Sequence, residues 1–155
     1  MDSIRFLLVT FFGSGLAPFA SGTFGSAAAV LVAAGVHYLW GWNPWWLAAG
    51  AVVAGVINVA CGAWIEKRWG KDPGEVVIDE VAGQWIALMA PIAGAKPLWG
   101  YTAAFFLFRI FDILKPLGAR RLEALPRGWG VLLDDVLSGI YVALILWGAG
   151  TWLPL

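Results

Sequence analysis

From Phe6 to Ile65 the chain carries no Asp, Glu, Lys or Arg, and the same holds from Val136 to Leu155. Stretches of this kind supply spans of the roughly 20 apolar residues that a lipid bilayer requires. A helix on the surface of a water-soluble protein needs one polar face, and these stretches offer none. Composition agrees: 61% of the 155 residues are hydrophobic, 13% are charged and eleven are Trp, where a soluble average has about 25% charged. The length suits one domain, read as 1–155, and is short for two. The fold class expected is all-α, a polytopic membrane helical bundle of four to five membrane-embedded helices. A short N-terminal helix and a Gly/Ser-rich loop precede them. RFLLVTFFGSG near the N-terminus lacks a small-residue cleavage site, so it is read as part of the mature chain. A net charge of zero, with no basic block interleaved with aromatics, argues against nucleic acid as a partner. Cys61 is the single cysteine, which excludes an intramolecular disulfide and disfavours zinc.

Turn-forming residues divide the apolar sequence. GSGLAPFASGTFGS, residues 13–26, is expected to be a structured loop. Helices are expected near 27–41, 45–65, 80–95, 97–114 and 132–152, with breaks at Asn43-Pro44, at EKRWGKDPGE, at the GAKP turn and at Lys115-Pro116. The 80–95 crossing is the weakest, because its apolar run is short and starts on a carboxylate; an interfacial or re-entrant path stays open. Nine of the ten Lys and Arg lie at Arg5, at Lys67 to Lys71 and from Arg109 to Arg127. Positive residues flanking spans favour the cytoplasmic side, which puts the N-terminus inside and the Trp-rich turns on the other face.

That orientation uses only the basic residues, yet it gathers the helix-embedded acids at one end. Asp79 and Glu80 begin one helix, Asp112 lies in the last turn of another, and Asp134 and Asp135 lie in the first turn of the last. Acids embedded in membrane helices face a polar cavity, a partner or an ion, so five from three helices point to a cation site. Oxygen donors select a hard metal, Mg²⁺ first and Mn²⁺ second. Magnesium commonly binds through a few carboxylates together with substrate phosphate, which suggests a phosphate ester. Arg109 and Lys115, each one turn from Asp112, are placed on its helical face to neutralise that phosphate. Plainer roles compete: Asp79 and Asp134 as N-caps, Glu80 and Asp135 as first-turn charges, and Asp112 as the ion-pair partner of Arg109 or Lys115. A transporter or channel binding a proton or metal ion is the alternative class. Acids gathered at one face and the lack of an inverted repeat weigh against it.

FGSGLAP…SGTFGS, IDEVAG, FRIFDILKP and LLDDVLSG, in this order, resemble the motifs of the phosphatidylglycerophosphatase A family over about residues 12–140. The resemblance implies an enzyme of the bacterial inner membrane, Mg²⁺-dependent, and the charge map turns its active site toward the cytoplasm. Its substrate would be phosphatidylglycerophosphate and its products phosphate and phosphatidylglycerol, a cardiolipin precursor. The family's acidic positions fall on Asp79, Glu80, Asp112, Asp134 and Asp135, and its basic ones on Arg109 and Lys115. In this reading Asp79, Glu80, Asp134 and Asp135 supply most metal ligands, for one ion or two. Arg109 and Lys115 hold the phosphate. Ser21, Gly22, Thr23 and Ser26 complete an anion nest at a helix start. Asp112 is left open as ligand, general base or nucleophile.

Overall fold

In a computed structural model, which describes residues 2–90, 94–116, 122, 125, 126 and 128–152, the described residues form six α-helices and no strand. They are α1 (Asp2–Val9), α2 (Ser21–Trp40), α3 (Pro44–Trp69), α4 (Ile78–Ala87), α5 (Pro97–Leu114) and α6 (Trp129–Trp152), with a 3₁₀ turn at Ser14–Leu16. Four of them, α2, α3, α5 and α6, are long and apolar enough to cross a membrane. The helical membrane bundle expected from sequence is the fold observed. Arg120, Arg121 and Arg127, used in the topological reading, lie outside the described residues, as do residues 91–93, within the expected 80–95 crossing.

Local chemistry explains most boundaries. Pro44 opens α3 where its missing N–H costs nothing, and the Asn43 side chain accepts the Trp45 amide at 2.9 Å. The start of α2 corrects the sequence reading. Ser21–Ser26 is not loop but the first turns of the helix, entered through Ala20 in the left-handed region (φ 48°). Its glycines serve close packing: a Cβ on Gly22 would overlap the Glu80 carboxylate, and one on Gly25 would lie 2.6 Å from Val77 Cβ.

The 80–95 crossing is corrected as well. Val77 lies against Gly25 near the start of α2, the Trp85 indole donates to the Ala29 carbonyl (3.0 Å), and Gly94 lies against Trp42 beyond the end of α2. The chain therefore passes from one end of the bundle to the other, but its helix has only ten residues, about 15 Å of rise. It ends where the Leu88 amide bonds Gln84 and the Met89 amide bonds Ile86, a tightening that stops an α-helix. The irregular backbone beyond is tolerated because Leu88 and Ala90 are buried in protein instead of facing lipid.

Short α4 packs against all four long helices. Lipid tails are as apolar as Leu, so these contacts rest on close fit and not on exclusion from water. The tightest is with α6, where a Cβ on Gly139 would fall on the Gly83 carbonyl and one on Gly83 would come within 2.6 Å of the Asp135 carbonyl oxygen. Gly139→Leu is therefore expected to lower the thermal unfolding midpoint in detergent, by an overpacking cost on the order of 3 kcal/mol. Gly148→Leu, on the same helix with nothing within 4 Å of its Cβ position, should leave it unchanged. Equal shifts in the two variants would contradict this crossing.

Candidate active site

Close passage of α4 against α6 sets the first turns of both helices side by side. Asp79 and Glu80 come from α4, Asp134 and Asp135 from α6, and Asp112 from the last turn of α5. Asp79, Asp134 and Asp135 are 3%, 1% and 2% exposed. Asp135 lies within electrostatic range of the other four acids, so all five expected carboxylates share one field. The Asp79 side chain accepts the Glu80 amide at 3.1 Å, as a helix-start acid does, but its burial goes beyond what a cap needs.

Two cations run through this group. Arg109 approaches Asp112 at 2.6 Å, Glu80 at 3.6 Å and the Ser26 hydroxyl at 3.5 Å, tying α5 to both α4 and α2. Lys115 meets Asp134 at 2.6 Å. Here the expectation fails in one detail: Lys115 does not share the helical face of Arg109 and Asp112. It stands past the end of α5 in the left-handed region (φ 47°), as Pro116 disfavours the helical conformation for the residue before it. The lysine thus swings to the neighbouring helix and pairs with its acid there.

The four residues expected to form an anion nest divide. Ser26 and Gly22 belong to the site, the first through Arg109 and the second because it leaves room for Glu80. Ser21 sits beside Gly74, in a recess with Gly15–Ala20 and Glu75. The Thr23 amide bonds the Ala20 carbonyl at 2.8 Å, and the Phe24 amide does so at 3.3 Å, so two helix-start donors are already engaged.

Several polar residues escaped the sequence reading. Gln84 and Ser138 are fully buried, and Gln84 Nε2 and Oε1, Ser138 Oγ and Glu80 Oε2 have no hydrogen-bond partner among the described residues. Asn58, in the most apolar helix, donates to the Gly128 carbonyl at 2.9 Å and, with Lys71 and Asp72, lines a narrow cleft that reaches Asp79. A lone polar residue inside an apolar span was the signal available for Asn58.

In composition the group suits a hard divalent cation. Its donors are oxygens, carboxylates outnumber the two cations by three, and Glu80 Oε2 is buried without a partner. In geometry it is not a finished cage: among the described residues no three His, Cys, Asp or Glu side chains close on one point. Its carboxylates have cations as partners: Arg109 faces Asp112 and Glu80, and Lys115 faces Asp134. His37, near the other end of α2, packs against Tyr101, with Nδ1 3.3 Å from the phenol oxygen.

Comparison with known proteins agrees with the motifs. The family model for phosphatidylglycerophosphatase A matches residues 7–149. A Bacteroides thetaiotaomicron protein named "Putative phosphatidylinositol-3-phosphatase" is 41% identical over 94% of this chain and 92% of its own. Proteins named phosphatidylglycerophosphatase A are similar too: that of Escherichia coli is 38% identical over 96% of this chain and 85% of its own, and that of Haemophilus influenzae 36% over 95% and 89%. No solved structure matches.

Proposed function

Because the chain belongs to the phosphatidylglycerophosphatase A family of phosphatases, we propose that it hydrolyses phosphatidylglycerophosphate to phosphatidylglycerol and phosphate. The observation that carries this reading is the convergence of five carboxylates and two cations, from three helices, at one end of an apolar bundle. A lipid phosphomonoester presents its phosphate at that depth and leaves its chains in the hydrocarbon. The basic residues flanking the spans support an orientation with this end at the cytoplasmic face of the bacterial inner membrane, where the product would feed cardiolipin synthesis.

Asp79, Glu80, Asp134 and Asp135 are the residues that would hold Mg²⁺. The ion, when bound, supplies charge neutralisation for the phosphate and acidity for a coordinated water. Arg109 offers a planar fork to two non-bridging oxygens, for which it exchanges its hold on Asp112 and Glu80. Lys115 adds a point charge that can move between Asp134 and the phosphate. Hydrolysis breaks the bond from phosphorus to the glycerol oxygen, delivers water oxygen to phosphorus and returns a proton to the leaving alkoxide. Asp112, released when Arg109 turns to the phosphate, would be free to take part in that proton movement.

Phosphate release from vesicles carrying phosphatidylglycerophosphate tests the reading. The purified protein should release phosphate with Mg²⁺, stop in excess EDTA and recover when Mg²⁺ is restored. Full activity in EDTA would remove the metal from the account.

A further inference from the structure

An apolar groove of about 720 Å³ runs between α2 and α5. Along α2 it extends from Ala27 to Tyr38, about 16 Å of helix rise, close to the roughly 15 Å depth of one bilayer leaflet. On α5 its wall runs from Pro97 to Phe106. The two helices are antiparallel, and their register is fixed at one end by the contact of Arg109 with Ser26 and at the other by that of the Tyr101 hydroxyl with the Ala33 carbonyl (3.4 Å). One end of the groove therefore lies next to the charged group: Ala27 follows Ser26, and Phe105 and Phe106 lie one turn before Arg109. Stacked His37 and Tyr101 mark the far end.

Two other apolar grooves lack this continuity. One, between α3 and α6, is lined by Val52, Val56 and Leu132, and the acid nearest along that wall, Asp135, is turned inward and 2% exposed. Another lies at the Trp40 and Trp46 end of α2 and α3, at the opposite end of α2 from Ser26 and Arg109.

We infer that the α2–α5 groove holds one acyl chain of the lipid phosphate while Arg109 engages its head group. The inference rests on a lipid phosphomonoester being the substrate, and it assigns Ala27, Val30, Ala34 and Phe105 to chain recognition. A chain laid there anchors the lipid equally before and during the reaction, so chain binding contributes to affinity.

Ala34→Phe sets a ring in mid-groove, eight residues or about 12 Å of rise beyond Ser26. It should raise the KM for dioleoyl phosphatidylglycerophosphate about tenfold or more, with kcat little changed, and leave turnover of the dihexanoyl substrate, whose chains stop short of Ala34, as in the unaltered protein. Gly35→Phe, which points a ring into open space on the same helix, and Val52→Phe, in the α3–α6 groove, should alter neither. Equal loss on both chain lengths in Ala34→Phe, or no loss on either, overturns the assignment. Photolabelling of the intact protein in vesicles by a lipid phosphomonoester with a diazirine-bearing chain provides a readout independent of catalysis. Adducts on Val30, Ala34 or Phe105 support the groove; adducts on Val52 and Val56 instead, or spread evenly over all four spans, overturn it. Labelled groove residues in a protein that releases no phosphate would keep the groove and discard the phosphatase reading.

Discussion

Asp79→Asn is expected to lower phosphate release from phosphatidylglycerophosphate roughly 10²–10³-fold, the scale on which removing one preorganised electrostatic group acts. The substitution keeps the side chain's shape and its Oδ1, and so retains the bond from the Glu80 amide in the first turn of α4. What it removes is a buried charge, 3% exposed, from a group in which carboxylates outnumber cations by three. Stability without metal should therefore be unchanged or greater, because repulsion within the group falls. Turnover and thermal unfolding in detergent, measured on one preparation with EDTA and with Mg²⁺, separate these effects. The unaltered protein should gain stability from Mg²⁺, and Asp79→Asn should gain less. Turnover within threefold of normal would take Asp79 out of the ligand set.

Arg109→Gln carries the second large effect, and here stability and activity fall together. Arg109 is the group that faces Asp112, Glu80 and Ser26 at once. Its loss leaves two largely but not fully buried carboxylates, Asp112 and Glu80, without their partner, at a cost of up to about 3 kcal/mol, the lower bound for a fully buried pair. Turnover should drop by at least about 10²-fold, because the phosphate loses its fork. Arg109→Lys retains the charge and should recover most of the stability but little of the turnover. Adding Asp112→Asn to Arg109→Gln removes one orphaned charge and should restore part of the unfolding midpoint while activity stays low. If Arg109→Gln unfolds normally and turns over normally, the ion-pair network has no part in either.

How far the sequence could be read depended on which physical signal each residue carries. Apolar length marks a span, and α2, α3, α5 and α6 all appear where uncharged or nearly uncharged runs placed them. Charge at a boundary marks an end, which is why the five acids could be brought together before any contact was known. A helix start without a side-chain cap leaves no such mark. Ala20 begins α2 by its backbone alone, so Ser21–Ser26 looked like loop. Spacing along an ideal helix also misleads where the helix has already stopped: Lys115, three residues from Asp112, turned out to serve Asp134 on another helix. Gly83 and Gly139 show what composition cannot: each glycine was visible, but that each faces the other across the α4–α6 crossing is a property of the fold. Gln84 and Ser138 are polar residues of ordinary appearance whose burial decides their interest, and burial has no signature in a single chain.

Substrate identity is the sharpest question for this site, since relatives similar over nearly the whole chain carry names for two different lipid phosphates. The decisive measurement is kcat/KM of the purified protein for phosphatidylglycerophosphate and for phosphatidylinositol 3-phosphate, with matched acyl chains in the same vesicles and Mg²⁺ present. A preference of at least tenfold for phosphatidylglycerophosphate is expected, with phosphatidylglycerol formed in step with phosphate. Hydrolysis of phosphatidylinositol 3-phosphate alone, with phosphatidylglycerophosphate left intact, would contradict it.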